Sequence, residues 1–332
     1  MKKLFKVKLL AILLLSLTVG IPEVYAWGPC THIFYTKKAL QEATGMPVAN
    51  LVNDYYDWFL CGLMYPDVTV IYYYTQWVSY SATHSWTFQT KLWNDAYAKG
   101  SKKAMAFAIG VGTHLLEDSI AHNYYIPLKI RSSMIQNNII HPLSEGFVET
   151  NLIADPDLGY IVRSESTRAF LYYKSQIDDS DGFLKPDGTY MTVIEWTNSI
   201  LGKGWDFTQE AMTFDTILSQ GQFYTKGFAV PKEQGGWWAI YGTISDIISH
   251  FVSVEDANPY IQQSIDATAR YFKADLSYGG QPQKFIGEFD PTGYDNLKAS
   301  DSYIATWTVI TSIVFISLIG IYYYRKRKSG GE

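Results

Sequence analysis

The sequence predicts an all-α fold: a helical bundle built around a cluster of histidines and carboxylates, followed by a C-terminal single-pass transmembrane helix. Three observations predict it. Apolar residues recur at helical spacing over 33–44, 88–98, 103–121, 209–224, 237–254 and 257–274. No run of short alternating strands appears. Of the six histidines, all but His250 fall between positions 32 and 141.

The first element is an export signal over 1–26. Lys2, Lys3, Lys6 and Lys8 form a basic head, Leu9 to Val19 an apolar core, and Val24-Tyr25-Ala26 a small-residue cut site. The apolar core is about 11 residues, short of the ~20 that a spanning helix needs. Cleavage after Ala26 leaves Trp27 with a free α-amine. At the other end, Ile304 to Ile321 are 18 uncharged, mostly apolar residues flanked by Tyr303 and Tyr322 to Tyr324. At ~1.5 Å per residue, 303–324 spans roughly 30 Å of hydrocarbon. The basic cluster Arg325 to Lys328 opens an eight-residue tail, 325–332, that stays inside. The body, about 27–300, is therefore expected outside the cell, tethered to the cell membrane.

Composition sets limits. A net charge of −5 advertises no basic surface for nucleic acid. About 270 mature residues are enough to bury a sizeable core. Cys30 and Cys61 are expected to form one disulfide outside the cell. Metal ligation is the alternative, though neither cysteine has a CxxC partner.

Along the body, 27–200 holds the histidine cluster, and 201–300 reads as a helical extension and linker. The stretches "GMPVAN", "LKPDGTY" and "YGGQPQ" are breakers, and "GGQPQKFIGEFDPTGYDNLKASD" reads as the linker to the anchor. "VTVIYYYTQWVSY" is strand-like, or a loop lining a site.

The densest chemistry lies in "GTHLLEDSIAHNYY". His114, Asp118 and His122 stand at i, i+4 and i+8, and project from one helix face roughly 6 Å apart along the axis. Interleaved Leu115, Leu116, Ile120 and Ala121 aim that face inward. Neutral imidazole and carboxylate are zinc ligands, and a row this long can serve two ions. Downstream, "IIHPLSEGFVET" places His141 and Glu145 at i and i+4, with Glu149 continuing the row if Pro142 lies in the first turn. Upstream, "GLMYPDVTV" offers Asp67 in a Pro-led loop, and "ATHSWTF" offers His84.

As an ordered set, Trp, His, Asp, His, His-x3-Asp-x3-His and His-x3-Glu resemble the zinc-dependent phospholipase C family, with single-strand-specific zinc nucleases as cousins. The resemblance covers roughly Trp27 to Thr150. It implies an all-α fold enclosing a multi-zinc site, an export signal and a mature N-terminal Trp that binds zinc. An α-amine with a pKa near 7.7–8.0 yields its proton readily to a cation. The resemblance implies two to three zinc ions. Trp27, His32 and Asp118 hold one. Asp67, His84, His114 and the bridging Asp118 hold a second. His122, His141 and Glu145 hold a third, with Glu149 the alternative to His122. The spacing of His32 from the Trp is closer to the nuclease branch, and "HPLSEGFVE" to the phospholipase branch. The Asp118-x3-His122 spacing departs from the Asp-x5-His of soluble members and is similar to tethered-lipid phospholipase D relatives. His250 lies outside the set, as a core or surface histidine.

The implied chemistry is phosphodiester hydrolysis. Two close ions lower the proton affinity of a shared water, which attacks phosphorus in line. Asp67, a ligand with a spare oxygen, is the expected general base, and Asp118 the shared carboxylate. The expected substrate is a phospholipid or another phosphodiester head group. Two readings stand beside it: an extracellular nuclease whose aromatics stack bases, and a non-catalytic zinc-stabilised binding module.

Overall fold

The computed structural model describes residues 27–76, 82–126, 148, 165, 168–169, 172–201 and 257–286. Helices dominate these, as expected. The only strand-like features among the described residues are two isolated antiparallel bridges, Gln176 with Thr192 and Leu184 with Tyr190.

Helix α1 (Pro29–Glu42) starts with Pro29 at its first position, where a missing amide costs nothing. A turn through Gly45, at φ 84°, leads to α2 (Pro47–Asp54). Helix α3 spans Tyr56–Gln76, α4 Trp86–Ala98 and α5 Lys102–Ile120. Ser85 and Ser101 cap α4 and α5 by accepting from the amides of Phe88 (3.2 Å) and Ala104 (3.0 Å). Gly100, at φ 68°, makes the tight turn between them. Helices α6 (Val193–Leu201) and α7 (Asn258–Phe272) follow. Every residue from Ala104 to Ile120 is buried, so α5 is the central helix around which the others pack.

The tightest packing in the bundle is between α3 and α5. A Cβ on Gly62 would collide with the Phe107 carbonyl, and one on Gly110 with the Phe59 carbonyl. Phe59 meets Gly110, and four residues further along both helices the Leu63 carbonyl meets His114 Nδ1 at 2.9 Å. The two helices therefore run in the same direction here, and the next turn carries Asp67 toward the same histidine.

Several expectations change. Residues 68–76, expected as strand or loop, continue α3, and Asp67 lies inside that helix rather than in a Pro-led loop. Pro66 cannot donate to the Gly62 carbonyl, yet the helix runs through it. Trp58 to Tyr65 are buried on all sides, and that packing overrides the local stop signal. Cys30 and Cys61 are not joined by a disulfide; both are buried thiols. They pack as small apolar side chains in the core, and burial pushes the Cys61 thiol well above its ordinary pKa. The segment 257–286, expected within an extension and linker, belongs to the core. Ala267, Ala269, Tyr271 and Phe272 join the main hydrophobic cluster, and the "YGGQPQ" glycines Gly279 and Gly280 lie flat against the Trp93 ring. Gln89 donates to the Gly279 carbonyl at 2.8 Å, as does the Tyr271 hydroxyl at 2.7 Å. No helix among the described residues is long and apolar enough to cross a membrane. The expected signal (1–26), transmembrane helix (303–324), tail and helices 209–224 and 237–254 lie outside the described residues.

The α3–α5 contact supplies a test. Gly62→Ala should destabilise the protein by about 3 kcal/mol, because backbone rather than a flexible side chain must give way. Urea unfolding measures it, and a change within ~0.5 kcal/mol of wild type would contradict the close approach.

Candidate metal centre

Five of the residues singled out in the sequence meet in the bundle. His32 comes from the first turn of α1, Asp67 from α3, His84 from just before α4, and His114 and Asp118 from α5. Asp67 is 9% exposed, and the other four are at 1% or less. Each histidine is braced at Nδ1. His114 Nδ1 faces the Leu63 carbonyl at 2.9 Å and must donate to it. His32 Nδ1 faces Glu117 Oε2 at 2.6 Å. His84 Nδ1 lies 3.5 Å from the Thr83 hydroxyl, which itself donates to the Pro66 carbonyl at 3.2 Å and so is left to accept. All three rings therefore turn Nε2 inward.

The inward atoms stand at the spacing of a tetrahedral zinc shell. Ligands at ~2.0–2.1 Å from a tetrahedral ion are roughly 3.3 Å from one another. His84 Nε2 and His114 Nε2 are 3.2 Å apart. Asp118 Oδ2 is 3.1 Å from His114 Nε2 and 3.6 Å from His84 Nε2. Asp67 Oδ1 is 3.6 Å from both nitrogens. The other Asp118 oxygen, Oδ1, is 3.3 Å from His32 Nε2, so the carboxylate offers one oxygen to each side. Two groups satisfy metal-ligand spacing, with donor atoms all within 4.8 Å of one another: His84, His114 and Asp118; and His32, Asp67 and His114. The second grouping departs from the expected partition, since it joins Asp67 and His114 to His32.

The site also holds polar atoms that the protein leaves unbonded. Both Asp118 oxygens, Asp67 Oδ2 and His32 Nε2 are buried with no hydrogen-bond partner among the described residues. Buried polar groups are nearly always satisfied. Four unsatisfied atoms around converging imidazoles fit a cation.

Of the remaining expected residues, Trp27 and His122 are among those described. Trp27 is buried, with its ring stacked on Tyr125 at 5.1 Å, and its indole Nε1 donates to the Glu117 carbonyl at 3.0 Å. It borders the cluster through its side chain. His122 is buried in a π-turn over Ala121–Tyr125 that follows α5, and its expected partners His141 and Glu145 lie outside the described residues. Glu149 and His250 lie outside them too. Glu117, fully buried between His32 and Thr268, carries no distinguishing signal in the sequence beyond standing next to Asp118.

A family comparison converges on the same chemistry. The family model for zinc-dependent phospholipase C matches residues 31–201. The chain belongs to this family. No curated protein and no solved structure matches it. Membership of the zinc-dependent phospholipase C family gives the class of cofactor, zinc, and the class of chemistry, hydrolysis of phosphodiesters of the phospholipid type.

The electrostatics of the metal-free protein follow from burial against pairing. Burial opposes a charge on His32, but its pairing with the Asp118 and Glu117 carboxylates outweighs this and raises its pKa to about 10. Burial dominates at His84 and, with the nearby His114, lowers its pKa. Asp118 is held well below the usual carboxylate range: burial pushes it up, and His114 and His32 more than reverse that. Burial raises Glu117. For His32 the sign is that of a raised group. Its contribution to stability is complete below the ordinary pKa of 6.5 and is lost as pH rises through about 10. Metal-free protein should therefore lose stability steadily from pH 7 to 10, and His32→Gln should flatten that profile. Denaturant titrations at several pH values check this, and a wild-type profile that is flat from pH 7 to 10 would contradict the pairing.

Proposed function

We propose that the chain is an extracytoplasmic, membrane-anchored zinc-dependent phosphodiester hydrolase of phospholipase C type, acting on phospholipid head groups and holding two to three zinc ions. The observation that carries this reading is the His84–His114–Asp118 group at metal-ligand spacing, with Asp67 Oδ1 3.6 Å from both histidines and the other Asp118 oxygen turned to His32.

In this reading Asp67, His84, His114 and Asp118 hold one ion. His32, Asp118 and the main chain of a cleaved Trp27 hold another. His122, His141 and Glu145, with Glu149 as the alternative to His122, hold the third. Zinc, when bound, supplies Lewis acidity and lowers the pKa of a coordinated water. Asp67 Oδ2, the oxygen with no hydrogen bond among the described residues, receives the proton as general base. Asp118 fixes the spacing of the two sides through its two oxygens. The braced imidazoles hold their geometry without reorganising, which is how a preorganised site stabilises developing charge.

Metal content tests the ligand sets. Protein beginning at Trp27 should carry two to three zinc ions and lose activity to chelators. Asp118→Asn should cost more zinc and activity than any single histidine change, because two ions share that carboxylate. A Gly-Ser extension before Trp27 should remove one ion while the helical signal stays. Mass spectrometry or atomic absorption giving one zinc or none in the wild type would sink the assignment.

Substrate and anchor are tested together on phosphatidylcholine vesicles, bis-nitrophenyl phosphate and single-stranded DNA. The lipid reading expects turnover of the first two. A stop codon near Asp301 should leave soluble-diester turnover unchanged and sharply lower vesicle turnover, since the anchor raises local substrate concentration. Preference for DNA would favour the nuclease reading, and zinc binding with no turnover of any substrate would leave a binding module.

A further inference from the structure

We infer that Glu117 and Thr268 are positioning residues of the metal centre, so that helix α7, beyond the family-matched segment, forms part of it. The inference rests on the reading of His32 as a zinc ligand. Glu117 is fully buried and uses every acceptor it has. Its Oε2 accepts from His32 Nδ1 at 2.6 Å, and its Oε1 accepts from the Thr268 hydroxyl at 2.9 Å. Its main-chain carbonyl accepts from Trp27 Nε1 at 3.0 Å. Thr268 is also fully buried, on α7. A carboxylate behind a ligating imidazole fixes the ring's tautomer and orientation and raises its basicity. Here Glu117 obliges Nδ1 to carry the proton, which leaves Nε2, 3.3 Å from Asp118 Oδ1, as the donor atom. Thr268 in turn holds the carboxylate. The His32 ring, stacked on His114 at 4.2 Å, then has little freedom to swing away. Thr268 lies outside residues 31–201, so the match to the family ends before the chain has supplied the last support of its own ligand.

The test is zinc affinity of the full chain, by competition with a chromophoric chelator. His32→Ala should lose one binding step. That same step should weaken roughly 10–100-fold in Glu117→Gln and about tenfold in Thr268→Val, which keeps the side-chain shape but lacks the hydroxyl. Thr268→Ser should restore it. In the His32→Ala background, Thr268→Val should leave the remaining steps where His32→Ala alone puts them. A buttress of the fold alone would lower the unfolding midpoint of the metal-free chain and leave every zinc step at wild-type affinity. That result in Thr268→Val would overturn the inference even if Glu117→Gln failed to fold. No step lost in His32→Ala would instead remove His32 from the ligands, and the inference would fall with it.

Discussion

The burial of Asp118 is the constraint around which the structure is arranged. A carboxylate 1% exposed near the C-terminal end of the central helix costs several kcal/mol unless it is paired. The chain meets that cost with His32, His84 and His114, drawn from three separate parts of the fold. Each imidazole is committed at Nδ1 to Glu117, Thr83 or the Leu63 carbonyl, so each can offer only Nε2 to the centre. The Nε2 atoms of His84 and His114 then face each other across 3.2 Å. A cation between them would satisfy both nitrogens together with the facing Asp118 oxygen. The bracing that satisfies the periphery is what obliges the centre to take positive charge.

Geometry of this kind depends on close helix packing. Asp67 reaches His114 because Gly62 and Gly110 let the backbones of α3 and α5 touch. The same economy of side chain holds the late segment in place, where Gly279 and Gly280 admit the Trp93 ring and Gln89 ties α4 to the Gly279 carbonyl. Small residues in a chain that is 16% aromatic mark where large rings or other backbones must come close. The donors at the centre inherit their spacing from contacts a turn or two away.

The legible and illegible parts of the sequence divide along physical lines. Helices α1, α4, α5 and α7 were readable from apolar spacing, and His114 with Asp118 from the i, i+4 interval. Helix α3 was not, because Trp58 to Tyr65 are buried on all sides and leave no polar face to set a period. Pro66 reads locally as a stop, and only tertiary packing decides otherwise. The π-turn that carries His122 is not encoded in residue spacing. Cys30 and Cys61 invite pairing by compartment, but a buried thiol packs as an apolar side chain, and pairing needs a geometry that spacing alone cannot supply. Glu117 was invisible for a different reason. Its partner Thr268 is 151 positions away, and a Glu beside an Asp on a helix is ordinarily a solvated charge.

The position of the late segment bears on how the proposed anchor would act. Ile286 is packed against the main core, and the proposed spanning segment opens at Tyr303, 17 residues on. Fully extended, such a connection reaches at most about 60 Å, and as a flexible coil it averages roughly 20–25 Å. A body held that near a bilayer meets the head groups of its own membrane at a high and nearly constant concentration. A soluble polymer arriving from outside gains nothing from the same tether. The proposed tether would leave from the segment that carries Thr268, so the anchored end and the support behind His32 would share one structural unit. An anchor joined to the core through so few residues would suit a lipid substrate.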